Sequence, residues 1–546
     1  MVQNEPTIII ENILSSAELY SGLTTYINIL ITTKIMKLSI KHESDSSVIN
    51  LALDTINLNK QALIFVNAKK SAEKSAEEIA KRIKGDNENL TQIANEIINS
   101  LPRPTKQCER AAECVKKGIA FHHAGLTSKQ REIIEENFRN GMVKIICCTP
   151  TLAFGLDLPA YRAIIKDLRR YSQRGLTWIP VLEYLQMAGR AGRPNYDSEG
   201  FAIVIAETNA EKSKIEEKYL NGEPEEIYSK LAVEPVLRTY VLSLIASGFV
   251  KNNSELIGFF SKTFYAYQYK DIRKIINTIS KILDLLEEWE FIIRNKDDFV
   301  NAGQIDDESF RATLLGKRTA ELYIDPLTSN KMVICMRNSS DKKINEFSFL
   351  QMISNTLELR PLLRVGIKEH DKIQEALMHH YEYLMEKEPS IYEPEYEEFL
   401  NSIKTTLMFN EWINEKDEEF LLEEYGIRPG EINAKLDIAD WMLYSAEEMS
   451  KLLHYQNMIK HIIKLRFRMK YGAKEEILPL LRLEGIGRVR ARVLFRNKIK
   501  DIGDVKNADL SFLKQIIGDK TALNIKKQVG DESFEKKEDI SLREWG

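Results

Sequence analysis

Short apolar runs alternate with amphipathic helical segments over residues 62–205, and this alternation constrains the fold more than any other feature. The run ALIFV at residues 62–66 is short and continuous, as in a strand whose two faces are both buried in a parallel sheet. Strands that alternate with helices predict a doubly wound α/β domain. Further strands are predicted at 119–121, 144–148, 163–166 and 201–205, and helices at 71–83, 128–139 and 181–187.

Beyond about residue 215 the sequence becomes almost entirely helical, with long amphipathic stretches at 270–290 and 373–387. A chain of 546 residues has room for about three or four domains of ordinary size. Residues 1–45 carry apolar runs with no clear period, and they are left unassigned. The expected joints between helical units are marked by Pro326, Pro361, Pro389, Pro394 and Pro429.

The composition is that of an ordinary globular protein, with 43% hydrophobic and 29% charged residues. Those fractions exclude a largely disordered or fibrous chain. Five cysteines without a CxxC pair argue against a disulfide framework and a zinc ribbon, so no metal site is expected. No window reaches the roughly 18 uncharged apolar residues of a membrane span. A cytoplasmic location without a membrane partner is therefore expected.

The formal net charge of −4 conceals an uneven distribution along the chain. Residues 451–500 hold 14 lysines and arginines against 3 acidic residues, a local charge of +11. Residues 382–424 hold 14 acidic residues against 3 lysines, a local charge of −11. The basic segment predicts binding to phosphates, because concentrated positive charge attracts polyanions. The acidic segment is interpreted as a solvated helix face.

The most specific string is QMAGRAGRP at residues 186–194, which carries two arginines three positions apart. Its glycines permit close backbone approach, and two planar guanidiniums suit one polyanion such as a transferring γ-phosphoryl group. A surface turn with two solvated arginines is the competing interpretation. A second string, TPTLAFGLDLP at residues 149–159, follows a predicted strand. The carboxyl ends of parallel strands are where doubly wound sheets bind ligands.

These two strings, in this order, resemble motifs V and VI of a superfamily 2 helicase. The HHAGL string at residues 122–126 and the loop after the ALIFV strand resemble earlier motifs of the same RecA-like domain. The resemblance implies a role for particular residues. They are Gln186, Arg190 and Arg193 in catalysis, Gly155 and Asp157 at the nucleotide, and His123, Thr149 and Tyr171 at DNA.

More narrowly, the chain is similar to the archaeal Holliday-junction-migration helicases, which are relatives of the helicase domain of DNA polymerase theta. The resemblance runs from about residue 45 to about residue 510, and it includes the strings PVLRTYVL, FYAYQY, ELYIDPL, LRPLLR and ADWMLYS. It implies a multidomain α/β plus α chain. The implied domains are a second RecA-like helicase domain at 46–215, a winged helix at 216–325, a helical ratchet domain at 326–472, and a helix-hairpin-helix domain with its tail at 473–546.

Full members of that family begin with a first RecA-like domain that carries the P-loop GxxxxGK[ST] and an Asp-Glu-x-His box. Neither string occurs in these 546 residues, and residues 1–45 are too short to hold such a domain. ATP and Mg²⁺ are therefore expected only if a P-loop domain is supplied in trans, and the chain alone is not expected to hydrolyse ATP. A fragment, the product of a degraded gene, and one half of a split helicase all fit this pattern.

A helix-hairpin-helix pattern lies inside the basic segment, with Leu480, Leu483 and Ala491 at its apolar positions. Its two glycines allow backbone N–H groups to point at a phosphate, and such contacts position a nucleic acid without reading its bases. A plain helical turn with a solvated basic face is the alternative. The residues predicted to bind DNA here are Gly485, Gly487, Arg488, Arg490 and Arg492.

Two aromatic side chains complete the predicted DNA contacts. By resemblance, Trp441 lies on the ratchet helix and stacks on a base of a single strand, a contact worth roughly 1–3 kcal/mol. Core packing is the alternative for this tryptophan. Residues 168–184 resemble the β-hairpin that parts the duplex in the family, which gives Tyr171 its predicted DNA contact. An ordinary surface hairpin is the alternative there.

These observations predict the DNA-binding and translocation portion of an ATP-dependent 3′–5′ DNA helicase that acts on forked or branched DNA in replication-coupled repair. The expected partners are single-stranded and forked DNA, together with a separately encoded first RecA-like domain, in a nucleoid-associated setting. The main alternative is a non-enzymatic binder of single-stranded or branched DNA. An RNA-processing helicase relative shares the two nucleotide strings but does not predict the helix-hairpin-helix.

Overall fold

A computed structural model gives the architecture of the chain. It describes residues 7–14, 40–41, 43–85, 88–172, 175–192, 197, 199–231, 233–270, 273–295, 309–339 and 342–530, with the backbone alone at 7–14 and 171–172. The chain divides into two compact units. The first comprises Met1–Glu226 with Ile427–Glu431, and the second comprises Ile227–Gly426 with Ile432–Gly546.

The first unit is built around a six-stranded sheet. Its elements in chain order are β1 (Thr7–Leu14), α1 (Ser47–Asn57), β2 (Ala62–Phe65), α2 (Lys69–Ala80), α3 (Glu88–Ile98), α4 (Lys106–Val115), β3 (Ile119–His122), α5 (Ser128–Arg139), β4 (Ile145–Cys148), β5 (Arg162–Ile165), β6 (Arg169–Ser172), β7 (Gly175–Trp178), α6 (Val181–Ala188), β8 (Glu199–Ala206) and α7 (Asn209–Ile215). The sheet order is β1-β8-β5-β2-β4-β3. All its strands run parallel except β1, which pairs antiparallel with β8.

This parallel sheet confirms the α/β expectation, and its strands are buried as their apolar sequences predicted. Every side chain of β2, β3, β4 and β5 is buried. Helix α5 begins where it does because Thr127 and Gln130 cap it reciprocally, each side chain accepting the other's backbone N–H. Residues 7–14, which the sequence left unassigned, form the edge strand β1.

The second unit is mostly helical, as expected. Its elements are α8 (Glu234–Ala246), α9 (Asn253–Ser261), α10 (Phe264–Tyr269), α11 (Arg273–Glu288), β9 (Ile292–Asn295), β10 (Ser309–Ala312), α12 (Leu314–Glu321), α13 (Pro326–Asn338), α14 (Glu346–Ser354), α15 (His370–His380), α16 (Tyr396–Ile413), α17 (Glu418–Tyr425), α18 (Pro429–Leu452, which starts in the first unit), α19 (Gln456–Tyr471), α20 (Arg488–Arg496), α21 (Ile502–Asn507), α22 (Leu510–Ile517) and α23 (Asp519–Val529). The predicted helix at 373–387 ends early, at His380, because the chain becomes extended at the buried Leu384.

Apolar side chains of the second unit gather in separate clusters. One cluster joins α8, α9 and α11 to the antiparallel pair β9–β10. Another lies around α15 and α16, and a further one joins the helices from residue 473 to residue 529. Separate cores are what independent domains require, so the clusters fit a division of this unit into several domains.

Three further observations bear on the sequence expectations. All five cysteines are buried free thiols. Within the described ranges, no helix has both the length and the apolar character needed to cross a bilayer. In the same ranges, no group of histidine, cysteine, aspartate and glutamate side chains has the arrangement of a metal site.

Candidate functional site

A cavity of about 460 Å³ opens at the carboxyl ends of the parallel strands in the first unit, and we call it the strand-end cavity. Asn67, Thr149, Thr151 and Arg170 are among the residues that line it. The hydroxyl oxygens of Thr149 and Thr151 lie 2.9 Å apart, and one donates a hydrogen bond to the other. Hydroxyl, amide and guanidinium groups on a rigid sheet edge suit a sugar-phosphate backbone. The predicted DNA-binding residue Thr149 thus lies in a cavity of suitable chemistry.

Arg190 follows α6 in the turn that the QMAGRAGRP string forms. Its guanidinium donates to the carbonyl oxygen of Ala153, from Nη2 at 2.6 Å and from Nε at 3.2 Å. Its Nη1 lies 4.0 Å from the carboxylate of Asp157, whose side chain is 96% exposed. The two strings therefore meet in space, and Arg190 is held in a fixed orientation beside the loop that contains Gly155 and Asp157.

The backbone on either side of Arg190 is fixed by Ala160 and by two glycines. The Ala160 N–H donates to the Arg190 carbonyl at 2.9 Å, and the Gly192 N–H donates to the Ala160 carbonyl at 2.7 Å. A Cβ on Gly200 of β8 would lie 2.2 Å from the nitrogen of Gly192, so only glycine lets the two segments meet. Sequence reasoning missed Gly200, because its neighbour in space lies eight positions away.

The other residues predicted at the nucleotide site differ in their surroundings. Gln186 is exposed on α6, about one turn before Arg190. Gly155 has φ +79°, a left-handed conformation that favours glycine in the loop between Ala153 and Asp157. Arg193 lies outside the described residues. The structure therefore brings together Arg190, Gly155 and Asp157 from the predicted set.

His123 is fully buried, at 0% exposure, which leaves no surface for a DNA contact. Its ring stacks on Phe121 with centroids 5.6 Å apart, and its Nδ1 accepts the Gly125 N–H at 3.1 Å. Its Nε2 lies 3.2 Å from a carboxylate oxygen of Glu73. Burial lowers the pKa of His123, which keeps the ring neutral at physiological pH. This placement corrects the sequence expectation, because the imidazole is a packing and hydrogen-bonding group inside the fold.

A β-hairpin does form at the predicted place, from β6 and β7. The Tyr171 backbone pairs with Leu176, and the Tyr171 side chain lies outside the described set. The Arg169 guanidinium lies 4.2 Å from the centre of the Trp178 ring, and Arg170 forms an ion pair with Glu183 at 2.9 Å. These contacts fix the base of the hairpin, while Leu176 near its tip is 49% exposed.

Trp441 lies on α18 and is partly buried. Its indole N–H donates to the carbonyl of Leu322 at 2.9 Å, so the ring is held in one orientation. The basic residue near it, Lys435, donates to the carbonyl of Pro361 at 2.7 Å. A partly exposed and oriented indole suits base stacking, whereas the Lys435 ammonium already has a partner in the fold.

The predicted helix-hairpin-helix has the expected backbone. Gly485 has φ +85°, and Gly487 is the exposed residue that precedes α20. The N–H groups of the first turn of α20 have no partner within the helix, which is the arrangement that binds phosphates. Arg490 is exposed beside this hairpin, and its Nη1 donates to the Gly485 carbonyl at 3.0 Å.

The other two arginines of α20 that were predicted to bind DNA are held by acidic residues. Arg488 pairs with Glu418 at 2.8 Å and lies 4.3 Å from the centre of the Trp412 ring. Arg492 pairs with Glu476 at 3.0 Å and also with both carboxylate oxygens of Glu415. Their side chains are 17% and 19% exposed. The interpretation of the acidic segment as a solvated face is therefore incomplete, since part of it neutralises the basic segment within the same unit.

A second hairpin, which sequence reasoning missed, joins α22 and α23. Gly518 at its centre has φ +85°, the same value as Gly485. The spacing Gly518-x-x-x-Ala522 repeats the spacing Gly487-x-x-x-Ala491, and both alanines are buried. That repeated spacing is the sequence signal that identifies a tandem.

Comparison with known protein families matches three segments of the chain. Residues 46–195 match the helicase conserved C-terminal domain. Residues 347–472 match domain 4 of archaeal helicases, and residues 477–531 match a SAM-like helix-hairpin-helix tandem. These matches cover the strand-end cavity, Trp441 and both hairpins.

Curated relatives match over most of the chain. The ATP-dependent DNA helicase Hel308 of Methanococcus vannielii is 40% identical over 544 residues, covering 92% of this chain and 70% of that protein. The Hel308 helicases of Pyrococcus horikoshii and Caldivirga maquilingensis are 38% and 33% identical, with 90% and 93% of this chain and 67% and 68% of those proteins covered. This chain therefore belongs to the Hel308 family of archaeal superfamily 2 helicases.

Proposed function

We infer that this chain is the DNA-binding and translocation portion of an ATP-dependent 3′–5′ DNA helicase for forked or branched DNA. The observation that carries the proposal is the loop at residues 149–159. At one end, Thr149 lines the strand-end cavity, and at the other, Asp157 and the carbonyl of Ala153 lie beside Arg190. A single short loop thus connects a surface suited to a DNA backbone with a guanidinium suited to a phosphate.

In this proposal the residues of the chain have separate tasks. Thr149 and its neighbours hold the sugar-phosphate backbone of a single strand, and Trp441 stacks on one of its bases. The hairpins around Gly485 and Gly518 bind phosphates without regard to base sequence. The β6–β7 hairpin, with Tyr171 near its tip, meets the duplex end.

ATP supplies the phosphoryl group whose transfer drives the family's helicases, and it needs a P-loop and a Mg²⁺ ligand in addition to arginines. Arg190 fits its part of this task, because its oriented guanidinium stabilises charge on a phosphoryl group without further ordering. We propose that a P-loop domain, carried on further sequence or on a separate polypeptide, completes the site. Arg190 and Arg193 then face that domain's nucleotide, and Gln186 and Asp157 border it.

Each proposed domain is assigned to a part of the chain, and the separate apolar clusters support this division. The first unit supplies the second RecA-like domain, and the cluster of α8, α9, α11 and β9–β10 supplies a winged helix. The helices of residues 326–472 form the ratchet domain, and residues 473–546 form the helix-hairpin-helix domain with its tail. The helix-hairpin-helix argues against an RNA-processing helicase, because a helicase of that class is not expected to contain one.

One experiment separates the helicase portion from the alternative, a non-enzymatic binder of DNA. ATP hydrolysis is measured for the purified chain, for the chain mixed with the P-loop region of the Methanococcus vannielii relative, and for that region alone, each with and without single-stranded DNA. We expect background turnover from the chain alone and DNA-stimulated turnover from the mixture. Robust turnover by the chain alone contradicts the need for a P-loop domain. No stimulation in the mixture, together with tight DNA binding, favours the non-enzymatic binder.

Arg490 provides a second test, on the DNA-binding part of the proposal. We expect Arg490→Glu to weaken binding to single-stranded DNA about tenfold at moderate salt, equally for different base sequences, because an exposed phosphate contact is lost. The slope of log affinity against log salt should become shallower by about one. Fluorescence anisotropy over a salt series measures both quantities.

Two further variants are needed to interpret the result for Arg490→Glu. Lys129→Glu makes the same charge change at an exposed site of α5 in the first unit and should leave affinity within about twofold. Arg492→Ala should instead lower thermal stability, because Glu415 and Glu476 lose their partner. An unchanged salt slope in Arg490→Glu removes the hairpin from the proposed DNA interface.

A further inference from the structure

Phe154 is an exposed aromatic residue in the loop at residues 149–159 of the first unit. A single turn of 3₁₀-helix at Pro150–Ala153 ends at Phe154, whose N–H donates to the Thr151 carbonyl at 3.3 Å. Side chains three positions apart lie on the same face of such a turn. The two residues between Thr151 and Phe154 are buried. The turn therefore presents a hydroxyl group and an aromatic ring together.

That ring forms part of an apolar wall in the strand-end cavity. Phe154 is 48% exposed, and it lines the cavity together with Ala68, Pro150 and Ile179. Ile179, directly after β7, is only 2% exposed, so its side chain is held by the fold. A single exposed aromatic residue carries little information, but an aromatic ring beside aliphatic groups in a concavity is typical of a binding pocket. The volume of about 460 Å³ lies within the range of about 300–1,000 Å³ found for such pockets.

The charged side chains of the cavity balance one another. Four of the described residues that line it are charged, two of each sign, namely Lys69, Arg170, Asp167 and Glu183. Arg170 pairs with Glu183 at 2.9 Å, and Lys69 pairs with Glu431, which belongs to the same unit. A surface without net positive charge does not concentrate a polyanion. The cavity therefore suits a neutral part of a nucleic acid better than it suits a row of phosphates.

We propose that the strand-end cavity receives an unpaired nucleobase of the DNA strand, and that Phe154 is a DNA-binding residue whose ring stacks on that base. Every base has an aromatic face, so the contact tolerates any base sequence. A paired base lies inside the duplex stack and presents no free face to the ring. The hydroxyls of Thr149 and Thr151 remain suited to the backbone that carries the base. This inference rests on the proposed function, to which it adds selectivity for single strands.

A contact with a base and a contact with a phosphate differ in their dependence on salt. A phosphate contact releases counterions from DNA, so its loss makes the slope of log affinity against log salt shallower. A base stacked on Phe154 releases none, so its loss lowers affinity by the same factor at every salt concentration. Phe154→Ala should therefore leave the slope unchanged, whereas Arg490→Glu changes it. A shallower slope in Phe154→Ala overturns the inference.

The main test combines a change in the full chain with a change in the DNA. Fluorescence anisotropy measures affinity for labelled oligothymidine and for the same strand with abasic residues, which keep the sugar-phosphate backbone but lack the base. We expect Phe154→Ala to weaken binding to oligothymidine about tenfold and binding to the abasic strand less than about twofold. An equal loss on both strands overturns the inference, because the ring then acts on the backbone or on the fold. Unchanged affinity for oligothymidine overturns it as well.

Conservative variants distinguish stacking from simple apolar burial. Phe154→Trp keeps a ring that stacks and should retain parental affinity within about threefold. Phe154→Leu keeps an apolar side chain but no ring, so it should lose most of the tenfold contribution. Parental affinity in Phe154→Leu contradicts stacking. Leu58→Ala is the matched control, since it removes an apolar side chain that is 50% exposed after α1 of the same unit, and it should bind like the parental chain.

The same measurements separate this inference from the proposed function. If the parental chain binds oligothymidine without salt dependence, the proposed DNA interface itself is wrong. If the parental chain shows salt dependence and Phe154→Ala binds equally well, only the base contact in the strand-end cavity is wrong. A blunt duplex completes the comparison, because Phe154→Ala should bind it with parental affinity. A tenfold loss on the duplex contradicts selectivity for an unpaired base.

Discussion

Replacing Arg190 by alanine should lower kcat for DNA-stimulated ATP hydrolysis about a thousandfold in the mixture of this chain with a P-loop domain. The reason is geometric as well as electrostatic. The Arg190 guanidinium is held by the Ala153 carbonyl through two donors, so it meets a phosphoryl group without loss of further freedom. Arg190→Lys should recover little activity, because an ammonium cannot reproduce the planar two-donor contact.

The measurement is steady-state ATP hydrolysis at saturating single-stranded DNA. Arg139→Ala, at the exposed end of α5, is the control and should retain parental turnover. Affinity for single-stranded DNA should change by less than about threefold in Arg190→Ala, since Arg190 is assigned to the nucleotide and not to DNA. A kcat within about tenfold of the parental value assigns Arg190 to structure alone.

The parallel sheet was predictable because its strands are buried on both faces and read as continuous apolar runs. The start of α5 was predictable from Thr127, whose cap is local in sequence. Strand β1 was not predictable, because an edge strand is specified by its partner β8 and the two are nearly 200 positions apart. Local pattern therefore identified the framework that carries the strand-end cavity.

The ion pairs of the second unit could not be predicted from the local sequence. Arg488 and Arg492 were predicted to bind DNA from their place beside the hairpin glycines. Their partners, Glu418 and Glu415, lie 70 and 77 positions earlier in the chain. The net charge of a segment takes in only residues that are neighbours in sequence. It therefore does not reveal ion pairs with residues that are distant in sequence but close in the fold. Of the three arginines of α20 that were predicted to bind DNA, Arg490 is the exposed one.

The buried ion pair of Glu73 and Arg428 was missed for the same reason. Glu73 and Arg428 are ordinary charged residues in sequence, and they are separated by 355 positions. Only their burial shows that they belong together, because a carboxylate and a guanidinium are rarely buried unless paired. Gly430 likewise becomes informative only beside the backbone of Ala124 and Leu126.

Replacing Glu73 by glutamine should destabilise the first unit by about 3–5 kcal/mol at pH 7, because the buried cations around it lose their anion. Burial opposes ionisation of Glu73, but His123 and Arg428 outweigh that effect and lower its pKa from 4.5 to about 2. A lowered pKa in the folded state contributes stability above about pH 4.5, and this stability is lost as the pH falls toward 2.

The parental chain should therefore lose about 3 kcal/mol of stability in the first unit between pH 4.5 and pH 2 through this group, and Glu73→Gln should lack that loss. Hydrogen exchange of peptides that cover α2 and β3, followed in urea at several pH values, measures it in this unit alone. Glu113→Gln, at an exposed site of α4, should follow the parental profile. Equal acid dependence in Glu73→Gln and the parental chain contradicts an ionised Glu73. Convergence of the two stabilities at low pH identifies Glu73 as the anion that holds Arg428.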